Sequence, residues 1–146
     1  MGMVYATIEI INTDDLVLAR RGFLHTDEIK RMDVRMLADS GSYMLAINEN
    51  IQEIMQFTVV ERRKAQLANG QVISCDVVGP VDLRFDNRQC TCRAIVLPGD
   101  AEPLLGAIPM EDMDLVIHPQ RQQLMIHPDH PDFAQMKMKK LETALV

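Results

Sequence analysis

Met36-Leu37-Ala38-Asp39-Ser40-Gly41-Ser42-Tyr43-Met44-Leu45-Ala46-Ile47 is the stretch whose reading decides the fold. Val34 to Ala38 is an apolar, strand-like run that ends on an acidic side chain. A small hydroxyl residue and a glycine follow, and a second apolar run starts at once. This pattern describes a carboxylate held at a tight strand-to-loop turn. Gly41 permits close backbone approach, and the Ser40 hydroxyl can bond neighbouring backbone and hold the loop. By itself an Asp-Ser-Gly triplet also describes an ordinary turn with a solvated aspartate, so the surroundings decide its meaning.

Upstream, Tyr5-Ala6-Thr7-Ile8-Glu9-Ile10-Ile11 alternates and is rich in β-branched residues, which predicts a strand. Asn12 to Asp15 is turn-like, and Leu16-Val17-Leu18-Ala19 reads as a further short strand. Downstream, Asn48 is placed to cap a short helix over Glu49 to Met55, with Ile51, Ile54 and Met55 on one face. Thr58-Val59-Val60 opens an extended region. Asn69-Gly70 lies between Ala65-Gln66-Leu67 and Gln71-Val72-Ile73, a signal for a hairpin with a two-residue type I′ turn. Asp86-Asn87 predicts a second hairpin between Val81–Phe85 and Cys90–Leu97. Pro98-Gly99-Asp100 breaks the chain, Leu104 to Ile108 is apolar, and Met110 to Met113 can make one helical turn. Leu115–His118 and Gln123–Ile126 flank another hairpin turn. Beyond Pro131, residues Phe133, Met136, Lys140, Leu141 and Ala144 fall at helical spacing. Short strands with turns every eight to twelve residues predict an all-β fold, a small closed β-barrel with one or two short helices and a helical C-terminal tail. The barrel is expected over residues 1–127 and the tail over 128–146.

The chain has 146 residues, which suits one domain able to bury a core without metal or disulfide staples. Its formal charge of -6 argues against nucleic acid and anionic membrane as partners, since both need a basic footprint. There is no apolar run of about 18 residues, and the N-terminus lacks the basic and apolar regions of a secretory signal. The 3 cysteines, Cys75, Cys90 and Cys92, suit reduced thiols and a cytoplasmic setting.

With these elements in order, the sequence resembles the retropepsin-like aspartic proteases, in particular their small bacterial members, from about Val34 to Ile126. Leu37-Ala38-Asp39-Ser40-Gly41-Ser42 is similar to the catalytic Asp-Thr/Ser-Gly loop of that family. Leu67-Ala68-Asn69-Gly70-Gln71-Val72 is similar to the hairpin that serves as its substrate-covering flap, and Val81 to Leu97 to the hairpin after the flap. Leu104-Leu105-Gly106 resembles the second apolar-apolar-Gly motif, which packs beside the catalytic loop. Two positions depart from the pattern. Ala107 stands where viral members commonly carry an arginine that fastens the dimer, and Ser40 replaces the commoner threonine while keeping its hydroxyl.

The resemblance implies an aspartic endopeptidase acting on a peptide or protein substrate, with Asp39 as the catalytic carboxylate and no metal or organic cofactor. Such enzymes need two carboxylates and one water, and this chain carries a single Asp-Ser-Gly. The second carboxylate is therefore expected from another copy, in a two-fold homodimer that sets Asp39 against its symmetry mate. The Asn69–Gly70 hairpin would close over an extended peptide. The alternative is a catalytically inactive module of the same fold that serves as an interaction or scaffold protein.

Other residue groups read more plainly. His127-Pro128-Asp129-His130 superficially suggests a metal loop, but its prolines favour a solvated linker. Asp14-Asp15 and Asp112-Asp114 read as turn and helix-surface charges rather than an acid/base pair. Ser42 lacks a nearby histidine in any nucleophilic arrangement. Met136 and Met138 suit tail packing or an adaptable partner surface.

Overall fold

In the computed structural model, residues 2–138 are described. The long sheet runs in the order β1-β2-β7-β3-β6-β5-β4, and an additional β1–β5 pairing closes six of its strands into a barrel. Strand β1 (Tyr5–Asn12) pairs antiparallel with β2 (Arg31–Ala38), Ile8 facing Val34. It pairs on its other edge with the second half of β5 (Val72–Phe85), Ile10 facing Leu83. Strand β3 (Leu45–Asn48) runs parallel to β6 (Arg88–Leu97). Between β2 and β3 lies β7, only Leu104–Leu105, parallel to the first and antiparallel to the second. Strand β4 (Val59–Gln66) stands outside the closed ring, paired only to the first half of β5. A separate hairpin joins β8 (Leu115–His118) to β9 (Gln123–Ile126).

The alternation that marks strands in the sequence becomes the barrel interior. Ile8, Ile10, Met36, Leu45, Ile47, Val78, Leu83 and Leu105 are buried, together with Met55 and Met113 from the helical segments. Each such side chain contributes roughly 1.5–3 kcal/mol on leaving water, so the barrel supplies a rigid mount for its loops. Because β1 and the second half of β5 share an edge, every strand of the ring has a neighbouring strand on both sides.

Helix α1 (Thr13–Arg20) replaces the turn and short strand expected over Asn12 to Ala19. The Asn12 side chain accepts from the Asp15 N–H at 3.1 Å and so caps the helix start. Asp15 in turn binds the Lys30 backbone N–H and ammonium, each at 3.0 Å. Helix α2 (Glu49–Met55) begins at Asn48 as its sequence predicts, the Asn48 side chain accepting from the Ile51 N–H at 2.9 Å. Helix α3 (Ala107–Asp112) starts three residues earlier than expected, because Pro109 falls in its first turn, where a missing N–H costs nothing. The expected tail helix is absent from residues 128–138, where Pro128 and Pro131 lie; its remainder, residues 139–146, lies outside the described residues.

Candidate active site

Asp39 follows directly on β2, half-buried. Its position is set by its neighbours' backbone. The Asp39 N–H donates to the Leu105 carbonyl at 2.9 Å, which extends the parallel β2–β7 ladder past its last residue. The chain then turns sharply, the Ser42 N–H donating to the Asp39 carbonyl at 3.1 Å. Both carboxylate oxygens receive one bond from within this turn. The Gly41 N–H donates to Oδ1 at 2.9 Å, and the Ser42 hydroxyl to Oδ2 at 3.0 Å. These two donors fix the plane of the carboxylate, and the second lone pair of each oxygen stays available. Ser40, whose hydroxyl is expected to bond neighbouring backbone, is exposed, and the hydroxyl that reaches the Asp39 carboxylate is that of Ser42.

The Leu104-Leu105-Gly106 motif locks the other side of the loop. The Ala107 and Ile108 N–H groups, at the start of α3, donate to the Ser42 and Tyr43 carbonyls at 2.8 and 3.0 Å. The unpaired N–H groups of a helix start are thereby satisfied by the Asp39 loop. Gly106 makes this approach possible, since a Cβ there would stand 2.8 Å from both the Met44 nitrogen and the Ser42 carbonyl oxygen. Ala107 therefore contributes to the site through its backbone N–H.

A cleft of about 470 Å³ opens over Asp39. The loop supplies Asp39, Gly41, Ser42, Tyr43 and Met44 to one wall, and β4 with the following turn supplies Arg63 to Ala68 to the other. Ala46, Ile95, Leu97 and Leu104 form an apolar floor. The hairpin that borders the cleft is the one predicted at Asn69–Gly70, but its turn differs. The Gly70 N–H donates to the Leu67 carbonyl at 2.9 Å, and only Gly70 of the pair has positive φ, at 84°. Asn69 instead uses its side chain, accepting from the Gln71 N–H at 2.9 Å. Five residues, Leu67 to Gln71, thus make a longer tip than the two-residue turn expected.

Of the sequence-derived residues, Asp39, Gly41, Ser42, Leu67, Ala68 and Leu104 border the same cleft. Leu105 and Gly106 act from behind, through the backbone. Asn69, Gly70 and Gln71 form the tip beyond it. Sequence reasoning missed Arg63 and Tyr43 at the cleft, because neither belongs to a motif; their signal is position alone, on the strand before the tip and beside Ser42.

The histidine segment also differs from its reading as a solvated linker. The His127 and His130 rings stack at 4.4 Å, and His130 Nδ1 lies 2.7 Å from Asp114 Oδ2. The Asp114 carboxylate also accepts from the Gln135 N–H at 3.0 Å. Burial pushes the Asp114 carboxyl up, but the Gln135 N–H and the His130 and His127 rings outweigh it and hold it below 3.8. Buried Arg88 donates to the His130 carbonyl. Asp114 is thus an anchor for the C-terminal segment. Among the described residues, no group of three His, Cys, Asp or Glu side chains is placed to hold a metal ion, and no helix is long and apolar enough to cross a membrane.

Comparison with models of known protein families and with curated proteins finds no match for this chain.

Proposed function

We propose that the chain is one half of an aspartic endopeptidase of the retropepsin-like type, completed by a second copy. One observation carries the reading. A carboxylate whose two oxygens are oriented by a glycine N–H and a serine hydroxyl faces a largely apolar cleft, and a β-hairpin borders that cleft. The order of motifs along the chain supports it: Asp39-Ser40-Gly41, then the hairpin, then Leu104-Leu105-Gly106.

The chemistry follows from pairing two such loops. With Asp39 and its symmetry mate about 3 Å apart, both carboxylates cannot ionise cheaply, and the pair shares one proton. The ionised member takes a proton from the bound water as the water attacks the peptide carbonyl. The protonated member donates a hydrogen bond to the carbonyl oxygen. The tetrahedral species then collapses, the C–N bond breaks and the amine leaves with a proton. Ile95, Leu97 and Leu104 would take apolar substrate side chains, and the hairpin backbone would bind the peptide as an added strand.

The test is peptide cleavage between about pH 4 and pH 7, with a pepstatin-type inhibitor and the Asp39→Asn chain as controls, alongside sedimentation to establish the dimer. Cleavage that depends on Asp39 and rises with dimer concentration is expected. A proven dimer that cuts no peptide in a broad library would instead act as a scaffold, and a chain that stays monomeric under all conditions defeats the shared-site mechanism.

A further inference from the structure

Arg63 stands on β4 at the wall of the cleft, its side chain exposed but tied to a neighbouring carboxylate. Its Nε donates to Glu61 Oε1 at 2.9 Å. The other oxygen of Glu61 accepts from Arg93 Nη1 at 3.2 Å. Two guanidinium groups therefore share one carboxylate, and the cluster keeps a net positive charge. Arg93 is two and four residues before Ile95 and Leu97 on β6, so all three point to the same face of that strand. Arg93 thus shares the face of β6 that carries the cleft floor, and of the cluster it is Arg63 that lines the cleft.

The geometry at Arg63 is that of a guanidinium held by its stem. Nε is committed to Glu61, which fixes the plane of the group, while the two terminal nitrogens have no partner among the described residues. A planar fork oriented in advance and open at its tip matches a carboxylate bidentately. The contrast with Arg62 is direct. As the preceding residue on the strand it faces the other way, where its Nη1 is closed by Asp76 at 2.6 Å and its Nη2 by Ser74 at 3.3 Å. Lys64, the following residue, also lines the cleft and adds positive charge to that wall.

We infer that Arg63, oriented by Glu61, is a specificity residue that selects extended peptides bearing a carboxylate beside their apolar side chains. This rests on reading the cleft as a peptide site. The carboxylate can be an internal Asp or Glu side chain or the free end of the peptide, since both present the same two oxygens.

The experiment measures binding to the full chain carrying Asp39→Asn, so that catalysis does not intervene. The probes are fluorescent, amidated octapeptides of leucine, alanine and serine. A single glutamate is moved through every position, and each peptide has a glutamine counterpart. A further peptide has no glutamate and a free C-terminus. At one position or more, or at the free C-terminus, the carboxylate form should bind about threefold to tenfold tighter at low salt. Adding Arg63→Gln should remove that preference, and adding Arg62→Gln should leave it. Which arm shows the Arg63-dependent preference identifies the source of the carboxylate. Equal binding of every carboxylate and neutral pair overturns the inference, and so does an equal loss in the two arginine variants, which would indicate charge without placement. Failure of every peptide to bind overturns the peptide-site reading together with it. Arg63-dependent preference in a chain that, with Asp39 intact, cleaves nothing overturns only the protease.

Discussion

Replacing Gly106 by alanine tests the architecture of the site without touching its chemistry. Gly106 has φ -82°, a conformation that any residue adopts, so the substitution adds no backbone strain. The cost is steric. The new Cβ would stand 2.8 Å from the Met44 nitrogen and from the Ser42 carbonyl oxygen, and nearer still to the Met44 carbonyl oxygen. All three are backbone atoms, so no side chain can rotate aside. Ordinary contact begins near 3.4 Å, and the loop or β7 must therefore retreat by roughly 0.6 Å or more. Overpacking of this kind costs about 1–3 kcal/mol, and backbone on every side places Gly106→Ala at the upper end. For a domain of this size that is a fall in Tm of about 6–12 °C. The displaced segment is the one that orients Asp39, so cleavage should fall more than stability does. Thermal unfolding followed by circular dichroism reads the first effect. Gly22→Ala provides the contrast: Gly22 has φ +83° and open space around it, so only the left-handed backbone resists, at about 1 kcal/mol. If Gly106→Ala melts within a degree of the unaltered protein, the close packing of β7 against the Asp39 loop is wrong.

Ser42→Ala removes the hydroxyl that donates to Asp39 Oδ2; we expect a loss of about 0.5–1.5 kcal/mol in denaturant unfolding and a lower kcat with little change in KM. Asp114 has its folded pKa depressed below 3.8, so the stability it adds is present above that value and is lost as pH falls through the folded one. The Tm advantage of the unaltered chain over Asp114→Asn should accordingly shrink as the pH falls below about 4, and an advantage undiminished at pH 2 would contradict the anchoring role. For Cys75 burial raises the thiol pKa, and for Cys90 the hydrogen bond with Cys92 and burial raise it strongly. Iodoacetamide at pH 8 should therefore label Cys92 before either, as mass spectrometry of the folded protein would show.

Much of the barrel was legible because its determinants are local. Asn48 before Glu49 predicts the start of α2, since a side-chain oxygen in that place satisfies the first orphan N–H groups. The Asp86-Asn87 turn is legible for a similar reason, as Asp86 tolerates its positive φ of 54°. Helix α1 was not legible. Its only buried residue is Asp15, so it shows no apolar stripe, and the run Leu16 to Ala19 imitates a strand. Its stability comes instead from the Asn12 cap and from Lys30, fifteen residues away. The site divides in the same manner. Asp39, Gly41 and Gly106 carry signals in their residue types, because a turn or a close approach demands them. Ser42 and Arg63 do not, because their roles depend on which way a hydroxyl points in a turn and on which face of β4 meets the cleft. Asp114 and His130 lie sixteen residues apart, and only the folded chain brings them together.

Strand β5 serves two masters. Up to Val78 it belongs to the hairpin that borders the cleft, and from Val81 onward it belongs to the wall of the ring, with a slip of register against β6 between the two. The hairpin arm and the drum it joins are thus one piece of chain rather than a lid attached by a flexible tether. Arm and drum meet at Gly79, where an added Cβ would stand 3.3 Å from the Arg93 backbone. The reach of the arm can consequently be altered by lengthening or shortening residues 67–71 at the far end, leaving the drum unchanged.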